Sequence, residues 1–304
     1  MRYVVTGAAG FIGSHLAEAL KAAGHEVRCI DCFTDYYDPA LKEENARGLD
    51  VQRLDLAEDL LDFDGVDGVF HLAGQPGVRS FGDVFPLYLR RNELASQRVF
   101  EAAARDGVKV VFASSSSVYG AAERYPTPED TVPRPNSPYG ITKLACEHLA
   151  DAHARAFGLD CVVVRYFNAF GPRQRPDMAF TRIAFALAEG GPFELFGDGE
   201  QSRGWTYVSD VVDGTILAME RGNGTYNVGG AIEASMNETI ALLEQISGRT
   251  LDVHRRQPAV PGDQRRTQAD TTRIRTELGW QPRVSLEDGL ARQWEWASAR
   301  VAAE

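Results

Sequence analysis

Short apolar runs alternate with longer stretches of helical spacing from the first residues of the chain onward. Residues 3–6 are a β-rich run. Residues 11–23 carry apolar side chains three and four apart and stop at Gly24, the pattern of an amphipathic helix. The same reading predicts strands over 27–30, 51–54, 66–72, 108–113 and 161–166, with helices over 87–106 and 138–157. The strand runs are apolar throughout rather than alternating, as in strands buried on both faces. Strand–helix alternation of this kind implies an α/β fold with a doubly wound parallel sheet, and right-handed crossovers leave few other topologies. After residue 167 the alternation weakens, and Gly171-Pro172, Gly190-Gly191-Pro192 and Gly197-Asp198-Gly199 punctuate the chain. A first domain over 1–167 and a smaller α/β lobe over 168–304 are expected. A segment near 206–222, with a helix beginning near Asp210, is expected to return to the first domain.

Composition narrows the function. The net charge of −11 over 304 residues argues against nucleic acid as a partner, since a phosphate-binding surface is basic. No apolar run approaches the ~20 residues of a membrane span, and the first residues lead straight into a glycine-rich turn rather than a signal peptide. A cytoplasmic location is the expectation. Cys29 and Cys32 form a lone C-x-x-C with no second half-site, so they read as packing and loop cysteines. The six histidines lack metal-ligand spacing, and no metal is expected.

Four stretches carry chemistry. Gly7-Ala8-Ala9-Gly10-Phe11-Ile12-Gly13 follows a predicted strand and opens a predicted helix, the context in which glycines cradle a pyrophosphate. Gly7 allows the tight turn, Gly10 the approach of the phosphates, and Gly13 close packing of the helix on the strand. Asp31, at the end of the second strand, suits the adenosine ribose hydroxyls and repels a 2′-phosphate, favouring NAD over NADP. Asp55, after the third strand, is the expected partner of the adenine amino group. In Tyr139-Gly140-Ile141-Thr142-Lys143 the phenol and the ammonium share one helix face. A cation beside a phenol stabilises the phenolate, which makes a base for a sugar hydroxyl. Ser114-Ser115-Ser116-Ser117 sits at the carboxyl end of the fifth strand, where doubly wound sheets bind ligands.

These motifs resemble the extended short-chain dehydrogenase/reductase family, in its nucleotide-sugar epimerase/dehydratase branch, over nearly the full length. The resemblance rests on the glycine motif, His71-Leu72-Ala73-Gly74, Ser115…Tyr139-x-x-x-Lys143, Arg165-Tyr166-Phe167-Asn168 and Arg203-Gly204-Trp205-Thr206-Tyr207-Val208-x-Asp210. It implies a Rossmann domain and tightly bound NAD. It also implies a catalytic set of Ser115, Tyr139 and Lys143. The NAD site would then comprise Gly7, Gly10, Phe11, Ile12, Gly13, Asp31, Thr34, Asp55, Leu56, the Leu72, Ala73, Gly74 turn, Asn92, Tyr166 and the Tyr139–Lys143 pair. A homodimer is implied too, with helices near 92–105 and 139–157 in an intersubunit bundle.

The branch runs several reactions from one 4-keto sugar. The 4,6-dehydratases carry Asp-Glu where this chain has Ser116-Ser117, and neither hydroxyl is a useful acid or base near neutral pH. Around Glu123 the pattern does not match that of the decarboxylases. Epimerisation needs no further group. Gln75-Pro76-Gly77-Val78-Arg79, the stretch from Asp35 to Lys42, and Arg175-Pro176-Asp177-Met178-Ala179 resemble UDP-glucuronate 4-epimerases. Ser115, Ser116 and Ser117 offer donors for the C6 carboxylate, and Arg79 or Arg175 a cation for uronate or diphosphate. By the same likeness Gln75 and Met178 line the sugar site, Arg203 meets the diphosphate and Asp263 the uridine ribose. Asn168 departs: threonine is frequent there in the glucuronate enzymes, and asparagine looks more like UDP-glucose 4-epimerases. The expected reaction is UDP-glucuronate to UDP-galacturonate. UDP-glucose or its N-acetyl analogue is the alternative substrate, and a UDP-sugar reductase or decarboxylase a more distant one.

Overall fold

A computed structural model describes residues 1–77, 82–230, 232–257 and 265–303. The chain begins with β1 (Arg2–Thr6), α1 (Phe11–Ala22), β2 (Glu26–Asp31), α2 (Pro39–Asn45), β3 (Val51–Arg53) and β4 (Gly68–His71). Then come α3 (Phe85–Tyr88), a stretch of wide π-type turns over Leu89–Leu94, α4 (Ala95–Asp106), β5 (Lys109–Ser115), α5 (Pro138–Phe157) and β6 (Cys161–Tyr166). The second part holds β7 (Asn168–Phe170), α6 (Ala179–Glu189), β8 (Pro192–Phe196), β9 (Ser202–Tyr207), α7 (Val208–Arg221) and β10 (Thr225–Val228). It ends with β11 (Ile232–Ser235), α8 (Met236–Ser247), β12 (Asp252–Arg256), β13 (Arg266–Thr267), α9 (Thr272–Leu278) and α10 (Leu286–Ala303).

Seven parallel strands form the main sheet in the order β10-β6-β5-β4-β1-β2-β3. The order reverses between β1 and β4, which opens the crevice where such sheets bind ligands. Val4, Val5, Val69, Phe70, Val110, Val111 and Phe112 are fully buried, so both faces of the central strands are covered. The predicted strands reappear within two residues at each end, and 161–166 and 138–157 are as expected. The helix expected over 87–106 runs without a break from Phe85 to Asp106, widening into π turns over Leu89–Leu94, a feature that recurs at functional sites.

The weak alternation beyond residue 167 conceals regular structure. β11, β9, β13 and β7 make a small mixed sheet, and β12 pairs with β8 as a ribbon. These strands are two to six residues long, too short for a period-two pattern to stand out. β10 joins the main sheet beside β6, and α7 before it packs on α1, β5 and β6. The buried Asp210 carboxylate fixes that helix. It accepts the main-chain N–H groups of Arg283 at 3.0 Å and Val284 at 3.1 Å, while Trp280 Nε1 donates to the Asp210 carbonyl at 2.8 Å. Among the described residues no helix is long and apolar enough to cross a membrane.

Candidate active site

A cleft with about 1210 Å³ of non-protein space, the open solvent at its mouth included, runs along the carboxyl ends of β1, β2, β4 and β5. The turn between β1 and α1 forms its floor. Gly7 has φ +71°, and a Cβ on Gly13 would stand 2.1 Å from the Gly7 carbonyl oxygen, so only glycine lets α1 start this close to the turn. Gly7 and Ala8 donate to Ile30 O at 2.8 and 3.2 Å, and Gly10 donates to Gly7 O at 3.0 Å. No side chain caps the start of α1. Its first N–H groups, which have no acceptor inside the helix, are left facing the cleft with Gly10, Phe11, Ile12 and Gly13. Asp31 stands at one end. Its carboxylate accepts Ala9 N at 3.1 Å and Phe33 N at 2.8 Å, which locks strand end and glycine turn together. Asp55 also lines the cleft. Burial works against its ionised form, but hydrogen bonds from Arg90 and from Ala57 N–H prevail and hold the carboxyl below its ordinary range.

Behind the floor lies a chain of buried polar groups. The His71 ring, fully enclosed, bonds Thr6 Oγ1 through Nδ1 at 2.8 Å and Ser96 Oγ through Nε2 at 3.0 Å. Thr6 Oγ1 in turn accepts Ala73 N at 3.2 Å, fixing the Leu72–Gly74 turn that lines the cleft. Burial, with Lys143 nearby, holds the His71 ring neutral, its pKa lowered to about 3. Asn92 corrects the expectation that it lines the cleft, for it is wholly inside the protein. Its Oδ1 accepts Gln75 N at 2.7 Å, and its Nδ2 donates to Gln75 O at 3.2 Å and Thr142 Oγ1 at 3.0 Å. It braces the wall from behind. Gln75 is likewise buried, its Oε1 accepting Arg91 Nη1 at 2.7 Å.

The opposite end gathers the serine run, Tyr139 and Lys143. Ser137 caps α5 by accepting Gly140 N at 3.1 Å, and Pro138 occupies its first turn. A Cβ on Gly140 would stand 2.5 Å from Ser117 O, so the glycine inside Tyr-x-x-x-Lys lets the start of α5 abut the serine run. Lys143 is buried, donates to Ala113 O at 2.8 Å, and stands 4.9 Å from the Phe112 ring centre. Ser115 Oγ accepts Ser117 N and donates to Ser117 Oγ, both at 3.1 Å, while Ser114 Oγ donates to Glu147. Glu147 itself is bidentate to the buried Arg165, at 3.0 and 2.7 Å. Tyr166 lines the cleft with its hydroxyl turned to Thr215 Oγ1 at 2.7 Å, and burial pushes the phenol pKa up.

From the second lobe Arg175 reaches the cleft that Tyr139 lines. Its Nε and Nη2 donate to Asp177 at 2.9 and 3.0 Å, and its Nη2 lies 3.4 Å from Met178 Sδ. Asn168 is turned away, donating to Thr267 Oγ1 at 2.9 Å, and Arg203 donates to Ser202 O at 2.8 Å within the small sheet. Arg79 and Asp263 lie outside the described residues. Ser115, Ser116, Ser117, Met178 and Arg203 do not line the cleft, whereas Thr34, Leu56, Leu72, Ala73 and Gly74 do. Sequence reasoning placed no role on Cys32, Tyr36, Tyr37, Lys42 or Arg91, which also line it. One signal was available. Asp38-Pro39 is a helix start, with Asp38 Oδ1 accepting Ala40 N at 2.9 Å, and it puts Lys42 one turn into α2. The four cysteines are free thiols, and burial raises Cys29 to about 11 and Cys161 to about 12.

A glycine-floored crevice at the reversal point of a parallel sheet, with a carboxylate at one end and a Tyr-x-x-x-Lys helix at the other, defines a dinucleotide-binding α/β protein of the dehydrogenase/reductase kind. The chain belongs to the NAD dependent epimerase/dehydratase family, whose model matches residues 3–229. It is 41% identical to the uncharacterized UDP-glucose epimerase YtcB of Bacillus subtilis, covering 98% of each chain. It is 34% identical to the UDP-glucuronate 4-epimerase of Thermodesulfobacterium geofontis, over 98% of this chain and 97% of that one. The crystal structure of the Bacillus cereus UDP-glucuronic acid 4-epimerase, in complex with UDP-glucuronic acid and NAD, superposes with a TM-score of 0.93 at 38% identity. The match covers 99% of this chain and 100% of that one.

Proposed function

We propose that the protein is an NAD-dependent UDP-sugar 4-epimerase that interconverts UDP-glucuronate and UDP-galacturonate. The observation that carries this reading is one cleft with two equipped ends: the glycine floor with Asp31 at one, and Tyr139, Lys143 and the cationic Arg175 at the other. The residues fit a dinucleotide. The uncapped start of α1 receives a diphosphate, and Asp31 accepts ribose hydroxyls. When bound, NAD supplies the acceptor for the C4 hydride and returns that hydride to the other face of the sugar. Tyr139 takes the proton of the C4 hydroxyl and later gives it back. Lys143, fixed by the Ala113 carbonyl one helical turn from Tyr139, presents its charge to the developing phenolate. Ser115 orients the C4 oxygen from the serine run, with Ser116 and Ser117 beside it for the C6 carboxylate. Arg175 offsets the negative charge of the uronate or the diphosphate. Holding the carboxylate matters because a 4-keto uronate is a β-keto acid that loses CO2 unless its carboxylate is kept out of the reactive orientation.

Residues 1–167 serve as the NAD domain in this reading, and residues 168–304 mainly hold the UDP-sugar, with the 206–222 segment returned to the first. Arg79, Arg203 and Asp263 are assigned to the uronate or diphosphate, the diphosphate and the uridine ribose respectively. The chain works as a cytoplasmic homodimer. Leu94 and Ile141, 45% and 49% exposed on the α4 and α5 side of the molecule, supply apolar surface for an intersubunit bundle.

A neutral sugar is the second reading, and Asn168 favours it. The Asn168 amide donor is engaged by Thr267 rather than aimed at a carboxylate, and the Bacillus subtilis relative carries a UDP-glucose name. The deciding experiment incubates the purified protein with UDP-glucuronate, without added cofactor, and separates the sugar nucleotides. A UDP-galacturonate peak is expected. Conversion of UDP-glucose to UDP-galactose in its place would make Asn168 a determinant and the substrate neutral, and turnover of neither sugar would reject epimerisation.

A further inference from the structure

The segment between β2 and the end of α2 runs the length of the cleft. It begins beside Asp31, and Thr34, Tyr36, Tyr37 and Lys42 form a continuous wall. At its far end Tyr36 meets Arg175, whose guanidinium is 5.9 Å from the Tyr36 ring centre and which lines the cleft together with Tyr139. The wall therefore spans the crevice from the carboxylate that suits the adenosine ribose to the group that handles the sugar proton.

How this segment is held is asymmetric. Its own interior is tied by Lys42, whose ammonium donates to Thr34 O at 2.6 Å and Thr34 Oγ1 at 2.7 Å and sits 4.8 Å from the Tyr37 ring centre. Its root is fixed to the cleft floor by the buried Asn45, which donates to Ala9 O at 3.1 Å. Its outer edge is held by the second lobe. Tyr36 OH donates to Asp177 Oδ2 at 3.3 Å, and Glu44 pairs with Arg300 of α10. Both contacts are partly exposed and join residues 141 and 256 positions apart. Contacts of this kind are individually weak and break readily, whereas the buried root does not.

We propose that residues 32–46 form a cofactor-retaining strap, rooted at Asn45 and clasped shut by the second lobe through Tyr36–Asp177 and Glu44–Arg300, so that NAD leaves the cleft only when the clasp parts. The inference rests on reading the cleft as the NAD site. It has a chemical rationale: an epimerase must return hydride from the same cofactor molecule that accepted it, so a dinucleotide that escapes in mid-cycle ends turnover. Asp177 acts here as a positioning residue. It orients Arg175 with two hydrogen bonds while anchoring Tyr36 with a third contact.

The test measures release of adenine-labelled NAD from the loaded full-length protein, chased with excess unlabelled NAD and followed by rapid filtration. Tyr36→Phe and Glu44→Gln are each expected to speed release roughly two- to five-fold, and the double variant roughly tenfold. A charge swap, Glu44→Arg with Arg300→Glu, is expected to restore slow release that Glu44→Arg alone loses. Arg256→Ala, which breaks an ion pair to Glu194 in the remote β8–β12 ribbon, is expected to leave release unchanged. If the wild-type protein retains NAD and the clasp variants release it at the same rate, the strap is overturned and the NAD site stands. If the wild-type protein takes up no NAD, the site reading falls and the strap falls with it.

Discussion

The glycine turn that faces the cleft from the first lobe is held by main-chain hydrogen bonds, Gly7 and Ala8 to Ile30 and Gly10 to Gly7. The 171–178 turn that faces it from the second lobe is held largely by side chains. Buried Gln174 donates to Ala169 O at 2.8 Å and accepts Thr181 N at 3.2 Å. Fully buried Gln293 of α10 accepts Gly171 N at 3.1 Å and donates to Gln174 Oε1 at 3.0 Å. Arg173, with φ +65°, is fixed by two bonds to Glu18 of α1 at 2.6 and 2.7 Å. In the function proposed above, the cofactor's diphosphate lies against backbone that cannot vary its chemistry, and the sugar lies toward a turn whose shape depends on exchangeable side chains. The first design suits a fixed cofactor and the second a changeable sugar.

The sharpest test acts where the two walls meet. Tyr139→Phe removes one oxygen from the proposed base, and turnover is expected to fall by about 10²–10⁴ with NAD and UDP-sugar binding kept. Near-normal turnover in that variant would remove Tyr139 from the chemistry. On the backbone-held side, Gly13→Ala forces a Cβ into the Gly7 carbonyl. A loss of about 3 kcal/mol in urea unfolding is expected, together with loss of NAD binding. A variant that binds NAD normally would show that the turn relaxes cheaply. On the side-chain-held side, Gln293→Ala leaves the Gly171 N–H without its acceptor. It is expected to cost about 2 kcal/mol and to raise KM for the UDP-sugar while NAD affinity stays level. Equal weakening of both ligands would mean that the two walls are not separable.

The smallest effect concerns the floor and pH. The folded pKa of His71, about 3, lies below the ordinary value of 6.5. Between those values the unfolded chain binds the extra proton, so stability is full above about 6.5 and is lost as pH falls toward 3. The His71 contribution amounts to about 2 kcal/mol lost at pH 5 relative to pH 7.5. Urea titrations at the two pH values, with His71→Asn as the comparison, check this. An unchanged slope in the variant would place the acid sensitivity elsewhere.

The seven-stranded sheet was legible in the sequence because each central strand is covered on both faces and so reads as an unbroken apolar run. The glycine floor, Asp31 and the Tyr139–Lys143 pair were legible because each depends on residues a few positions apart. Asn92 misled, since a polar residue near a cleft and one behind its wall look alike until burial is known. The strap residues Tyr36, Tyr37 and Lys42 were quoted only as part of a resembling stretch, because their wall exists only once α2 is tied to Ala9. What the sequence determined by itself is local: strand and helix periods, the turn that only glycines permit, and the helix that sets phenol and ammonium on one face. What only the tertiary structure decided is which distant side chains meet, Asp177 with Tyr36, Gln293 with Gly171, Asn168 with Thr267. Those pairings carry no period along the chain: the first arises where the second lobe meets the first, the other two where distant parts of the second lobe fold onto one another.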